Sequence, residues 1–171
     1  MGNQASRTRN RPSTPKERAL GVCVAAALRT GGRPLSIHDY ARETGVSARM
    51  LIHYFASKAS LDSAVIRAVD DGLRQQAGNL AQALGGLKAV DELVRGFRSP
   101  QSRQVRTLFR TLMAKAFEGD RLAVAVLIEE RARWTALFRQ ALKNRTEASN
   151  TVVLLLGAAM DAILNDMSSE R

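Results

Sequence analysis

Apolar residues recur every three or four positions along most of this 171-residue chain, the spacing that buries one face of an α-helix. Leu61, Val65 and Val69 mark one such segment, and Leu108 and Leu112 mark another. Ala, Leu and Arg are abundant and aromatic residues make up only 5% of the chain, which also favours helix over sheet. The pattern predicts an all-α protein.

Capping signals divide the first half of the chain into four helices. Thr14 with Glu17 has the spacing of a capping box, and Ser36 with Asp39 repeats it. Gly45 can adopt the left-handed conformation that ends a short second helix. The third and fourth helices are predicted to follow two further hydroxyl caps, Ser47 and Ser57, and to end near residues 55 and 84.

Glycine and proline shape the second half of the prediction. Gly72 and Gly78 each weaken the fourth helix by about 1 kcal/mol relative to Ala, so its C-terminal half is expected to bend or end early. The final helix is predicted over residues 147–167, and the helix before it over about residues 120–142. Further chain breaks are predicted at Gly85–Gly86, Ser99–Pro100 and Gly119–Asp120.

Charge is concentrated near the N-terminus. The net charge is +10, and residues 1–60 account for +7 of it, with ten Lys or Arg residues against three Asp or Glu. A basic surface of this kind is typical of proteins that bind nucleic acid. Arg7, Arg9 and Arg11 lie in a polar arm, which either enters a minor groove or only adds non-specific attraction.

Several other classes of protein find no support. Cys23 is the only cysteine, so an internal disulfide and a cysteine zinc cluster are excluded, and a buried inert thiol is expected. We find no metal-ligand cluster, no cofactor-binding loop and no catalytic arrangement, so we expect neither a cofactor nor enzyme activity. The polar N-terminus and the absence of a long apolar run predict a cytoplasmic protein without membrane contact.

Residues 37–54 have the pattern of a helix-turn-helix. Ala41 is the small residue needed where two helices cross, and Gly45 supplies the turn. In this motif the exposed start of the second helix enters the major groove. An ordinary αα-corner is the alternative, which the basic N-terminal 60 residues disfavour. The inward positions of the motif are Tyr40, Val46, Leu51 and Tyr54.

Residues 18–61 resemble the DNA-binding segment of the tetracycline-repressor (TetR) family. The family pattern Thr-Val-x-x-Ile-Ala-x-x-Ala-Gly-Val-Ser corresponds to SIHDYARETGVS at residues 36–47. The pattern Leu-Tyr-x-Tyr/His-Phe-x-x-Lys-x-x-Leu corresponds to LIHYFASKASL at residues 51–61. The resemblance implies an N-terminal three-helix DNA-binding domain and a C-terminal helical bundle that forms a dimer. It also implies a transcriptional regulator, usually a repressor that a small-molecule effector releases from a palindromic operator in double-stranded DNA.

The resemblance suggests roles for residues of the motif. Ser36 and Lys58 would hold phosphates from opposite flanks, and His53 would be a neutral contact in the groove. Ile52 stands where the family usually has Tyr, whose hydroxyl commonly meets the DNA backbone, so that contact is lost. Arg49 either reads guanine through two hydrogen bonds or binds phosphate. The full set of predicted DNA-binding residues is Ser36, Ser47, Ala48, Arg49, Met50, Ile52, His53, Tyr54 and Lys58.

The organisation of the whole chain follows from these predictions. We divide it into a flexible basic arm (1–13), a helix-turn-helix domain (14–58), a connecting helix (59–84) and a ligand-sensing and dimerisation domain (85–171). Residues 152–160 are apolar on almost every side, so a partner subunit is expected to cover them. The last two helices, at about 120–142 and 147–167, are therefore the predicted homodimer interface.

The resemblance also implies an effector site. An aromatic and methionine stripe in the second half either lines a ligand cavity or is plain core. Its members are Phe97, Phe109, Met113, Phe117 and Trp134. The competing hypothesis for the whole chain is a helical protein-interaction module without specific DNA binding.

Overall fold

The computed structural model describes residues 13–84, 86–141, 150, 151, 153, 154 and 157. Throughout these residues the regular secondary structure is helical, which confirms the all-α prediction for this part of the chain. Arg7, Arg9 and Arg11 of the predicted arm and most of the predicted final helix lie outside the described residues.

Four helices make up the N-terminal half: α1 (Pro15–Arg29), α2 (Ile37–Thr44), α3 (Ala48–Phe55) and α4 (Lys58–Leu84). Both predicted capping boxes are present. The Glu17 amide donates to the Thr14 hydroxyl while the Glu17 carboxylate accepts from the Thr14 amide, and Ser36 with Asp39 forms the same reciprocal pair. These bonds satisfy amide groups that a helix start leaves without partners, so the two starts follow from local sequence.

The expectation that α4 bends or ends early is wrong in its second part. The helix continues through Gly72 and Gly78 to Leu84. It packs against helices that follow it in the chain, α5 (Gly86–Arg98) and α7 (Arg121–Ala141). Apolar contacts made along its length offset the cost of the two glycines. The sequence pattern alone does not include these contacts, so it overestimates how much the glycines destabilise the helix.

The α5 and α7 helices are connected by a short 3₁₀ turn (Pro100–Ser102) and α6 (Arg103–Phe117). Gly119, at φ +88, follows the end of α6, as predicted. The Asp120 carboxylate accepts from the Leu122 and Ala123 amides at 2.9 and 3.1 Å, which confirms its role as the cap of α7.

The largest core cluster joins α1, α2, α3 and α4 to α6 through Leu108. Cys23 lies fully buried in this cluster, and burial raises the pKa of its thiol to about 11. A thiol with a raised pKa stays protonated and unreactive, as predicted. Two smaller clusters hold α6 and α5 against α7, one around Leu112 and Val126 and one around Val90 and Phe138.

Candidate nucleic-acid interface

The α2–α3 corner has the geometry predicted for the helix-turn-helix. Gly45 ends α2 at φ +67, a backbone conformation that is unfavourable for residues with a side chain. The Ser47 hydroxyl then accepts from the Met50 amide at 3.2 Å and caps α3. Thr44 supports the turn, because its hydroxyl donates to the Tyr40 carbonyl at 2.8 Å and accepts from the Val46 amide at 3.3 Å.

One face of α3 is fixed to the core. Leu51 is fully buried and Phe55 nearly so, and Tyr40 of α2 is buried beside them. Val46 and Tyr54 are half-buried against the same cluster, and Lys16 lies over the Phe55 ring, 5.2 Å from its centre. The predicted inward positions of the motif are thus confirmed, and one face of α3 packs into the core.

The opposite face of α3 is open to solvent. Arg49, Met50, Ile52 and His53 are exposed, and Ala48 is half-buried. Met50 and Ile52 are 40% and 38% exposed, high values for apolar side chains. Apolar groups on such a face can contact thymine methyls, and guanidinium groups can contact base edges or phosphates.

Arg49 differs from Arg29 and Arg42, two other arginines of the N-terminal half. Arg29 pairs with Glu43, and Arg42 pairs with Asp39 at 2.7 Å. Within the described part of the chain Arg49 forms no ion pair. Its charge is therefore available to an anionic partner without the loss of an internal contact.

The two predicted phosphate ligands, Ser36 and Lys58, lie at the starts of α2 and α4, and each contacts a carboxylate. The Ser36 hydroxyl donates to Asp39 Oδ2 at 2.6 Å. Hydrogen bonds from the Ser36 hydroxyl and amide, with the nearby Arg42, lower the pKa of Asp39. Lys58 Nζ lies 2.6 Å from Asp62 Oδ2.

Asp62 is a residue that sequence reasoning missed. The signal was available, because charges of opposite sign four residues apart on a helix are neighbours. The predicted cap Ser57 is present, since its hydroxyl accepts from the Ser60 amide at 3.0 Å, but the conformation of Ala56 was missed: its φ is +67, where glycine is the usual choice. This turn places Lys58 directly after α3.

Comparisons with known structures agree with this arrangement. A protein from Rhodococcus sp. assigned to the TetR family of transcriptional regulators superposes with a TM-score of 0.69, covering 91% of this chain and 90% of its own. A protein from Pseudomonas aeruginosa PAO1, assigned as a transcriptional regulator, superposes with a TM-score of 0.61, covering 96% and 86%. The chain has a TetR-type fold. Each neighbour is 18% identical to it in sequence. No protein-family model and no curated protein sequence matches the chain.

The five residues predicted for an effector site lie in different surroundings of this TetR-type fold. Phe109 packs with Ile66 and Leu112, whereas Trp134 stacks on Phe138. Phe117 is 86% exposed. Phe97 and Met113 are half-buried. The stripe is thus divided between packing clusters and surface, and the effector site stays a prediction.

A small cavity lies where the helix-turn-helix meets α6 and α7. Tyr40, Asp62, Thr111 and Lys115 are among its lining residues, and its volume is about 40 Å³. Small-molecule sites usually measure roughly 300–1,000 Å³, so this cavity is too small for an effector of ordinary size. The described residues hold no cluster of metal-ligating side chains, and they include no helix long and apolar enough to span a membrane.

Proposed function

We propose that the chain is a cytoplasmic DNA-binding transcriptional regulator that inserts α3 into the major groove of a palindromic operator. The asymmetry of α3 carries this proposal. Leu51 and Phe55 anchor the helix in the core, while Arg49 and Met50 are exposed beside its capped N-terminus. A helix-turn-helix presents this end of its second helix to base edges.

The flanks of the motif support the same function. Lys58 is the first residue of α4, and Ser36 caps α2, so both stand at helix N-termini. Backbone amides and the helix dipole favour anions at such positions. We assign both residues to phosphates on either side of the groove, which would position α3 without reading sequence.

We further propose that the regulator is a homodimer. Val124 and Ile128 lie four residues apart on α7 and are 38% and 66% exposed. Val153 and Leu154, from the predicted final helix, are 68% and 65% exposed. Leaving such surface in water costs about 25 cal/mol per Å². A second copy of the chain would cover it, and the two-fold axis would suit a palindromic site.

Selection of bound sequences from random duplexes tests the proposal. We expect a two-fold symmetric site whose affinity falls steeply with salt, because Lys and Arg contacts displace counterions from DNA. Equal affinity for the selected site and a scrambled duplex would instead favour the interaction-module hypothesis. Release by a small molecule and the sign of regulation stay predictions of the sequence resemblance.

Lys58→Ala gives the matching test of a phosphate contact. It should weaken binding to all sequences about equally and lower the salt slope by about 1. Lys88→Ala is the control, because Lys88 is an exposed lysine on α5, away from the motif. A change of base preference in Lys58→Ala would contradict the assignment.

A further inference from the structure

Asp62 is held by two lysines from two different helices. Lys58 Nζ of α4 lies 2.6 Å from Asp62 Oδ2, and Lys115 Nζ of α6 lies 3.4 Å from the same oxygen. The Asp62 side chain is 15% exposed, whereas the two lysine side chains are 33% and 38% exposed. The carboxylate is therefore partly shielded from water, and the Lys58 ammonium group, at the N-terminus of α4, can still meet an external anion.

The surroundings of Asp62 strengthen this contact. Asp62 and Lys115 line the small cavity together with Tyr40, whose phenol has its pKa raised by burial and by the Asp62 charge. Asp120 lines the same cavity, but its carboxylate caps α7. Solvent screens partly buried charges less than exposed ones. The attraction between Asp62 and the two lysines is therefore stronger than that of a fully exposed ion pair.

The backbone holds α6 in place beside the motif. Gly32, in the loop between α1 and α2, is buried against α6 at φ +77. A Cβ atom on Gly32 would clash with the Gln104 carbonyl oxygen and would lie 2.9 Å from Thr107 Cβ. This close approach fixes the position of α6, and hence of Lys115, relative to the helix-turn-helix.

We propose that Asp62 restrains the phosphate contact of Lys58, and that Lys115 weakens this restraint. The inference rests on the proposed function of Lys58. A phosphate and Asp62 compete for the same ammonium group. A second cation on Asp62 Oδ2 takes up part of its charge and repels Lys58, so Lys58 moves more readily to DNA. Lys115 thus acts as a positioning residue for DNA binding without touching DNA.

The proposal predicts opposite effects for the two partners. Lys115→Met keeps the apolar stem but removes the charge, and should weaken operator binding about two- to fivefold, the upper part of the range of exposed ion pairs. Asp62→Asn should strengthen binding by a similar factor. Both effects should disappear in a Lys58→Ala background, because the ammonium group for which the phosphate and Asp62 compete is then absent.

The experiment is a double-mutant cycle measured by fluorescence anisotropy on the selected operator duplex at several salt concentrations. Lys88→Met controls for the general loss of a positive charge, and Lys115→Arg should restore wild-type affinity. Circular dichroism checks that each variant folds. Should Asp62→Asn fail to fold, the cycle of Lys115→Met with Lys58→Ala tests the proposal alone, because Lys115 is more exposed.

The outcomes separate this inference from the proposed function. Coupling between Lys115 and Lys58, with a lower salt slope for Lys115→Met, supports the inference. Additive effects in a protein that binds its operator would overturn the inference and leave the DNA-binding function standing. Absence of salt-dependent, sequence-specific binding by the wild-type chain would overturn both.

Discussion

The indole Nε1 of Trp134 donates a hydrogen bond to Oδ1 of Asp70 at 2.8 Å, joining α7 to α4. Arg74 lies beside this bond and pairs with Asp70 and with Glu130. Asp70 is 1% exposed and Glu130 is 4% exposed, so two carboxylates share one guanidinium in a buried site. Burial, followed by the hydrogen bond to Glu130, raises the pKa of Asp70 to about 7, whereas hydrogen bonds from Asp70 and Arg74 outweigh burial and lower the pKa of Glu130.

This site predicts a dependence of stability on pH. Asp70 binds its proton more tightly in the folded chain than at its ordinary pKa of 3.8. Its contribution to stability is therefore fully present below pH 3.8 and is lost as the pH rises through about 7. Glu130 acts in the opposite sense, since its contribution is lost as the pH falls through its lowered pKa. We expect maximal stability between the lowered pKa of Glu130 and the Asp70 pKa of about 7.

Urea unfolding at pH 5 and pH 8 measures the effect. The free energy of unfolding should be lower at pH 8 by at least about 1 kcal/mol. Asp70→Asn is the matched control, because the amide cannot titrate but its Oδ1 can still accept from Trp134. An unchanged difference between the two pH values in this variant would show that another group is responsible.

Alanine substitutions at two neighbouring glycines test the contact between the α1–α2 loop and α6. Gly31 and Gly32 have similar positive φ values, +73 and +77, so Ala should cost about 1–3 kcal/mol of backbone strain at either position. Only at Gly32 does a Cβ meet α6, whereas at Gly31 nothing lies within 4 Å. Gly32→Ala should therefore destabilise the chain by about 1–3 kcal/mol more than Gly31→Ala. Equal midpoints of urea unfolding would contradict this contact.

Arg49→Ala tests whether α3 reads base sequence in the proposed operator. We expect the variant to lose about 1–3 kcal/mol of discrimination at one base position in each half-site, as loss of a bidentate guanine contact would produce. Binding-preference profiles of wild type and variant measure this. Arg95→Ala is the control, since Arg95 on α5 has a 71% exposed side chain. A profile that keeps its shape while affinity falls uniformly would identify Arg49 as a phosphate ligand.

Ile128→Glu tests the dimer. Because Ile128 is 66% exposed, a carboxylate there should leave the core of one chain intact but meet apolar surface of a partner. We expect a folded, helical monomer with much weaker operator binding, since one helix-turn-helix reads only one half-site. Sedimentation, circular dichroism and anisotropy give the three readouts.

The control for this experiment is Leu84→Glu, at an apolar side chain 44% exposed at the end of α4. It should leave the oligomeric state unchanged. A wild-type chain that sediments as a monomer at micromolar concentration would refute the dimer. A dimer formed by the Ile128→Glu variant would show instead that Ile128 lies outside the interface.

The sequence alone determined the features that depend on near neighbours. Thr14 with Glu17, Ser36 with Asp39, and Ser47 each cap a helix through residues within three positions, so their spacing is sufficient to predict them. Gly45 was predictable as the turn for the same reason, because its conformation follows from the absence of a side chain. The buried and exposed faces of α3 likewise follow from helical periodicity.

Only the tertiary structure decided which distant residues meet. Asp70 and Trp134 are 64 residues apart, and Asp62 and Lys115 are 53 apart. Neither contact has a local pattern, because each depends on how α4 packs against α7 and α6. The aromatic stripe shows the same limit. Periodicity indicates a buried face, but packing leaves Phe117 86% exposed and places Trp134 beside a buried carboxylate.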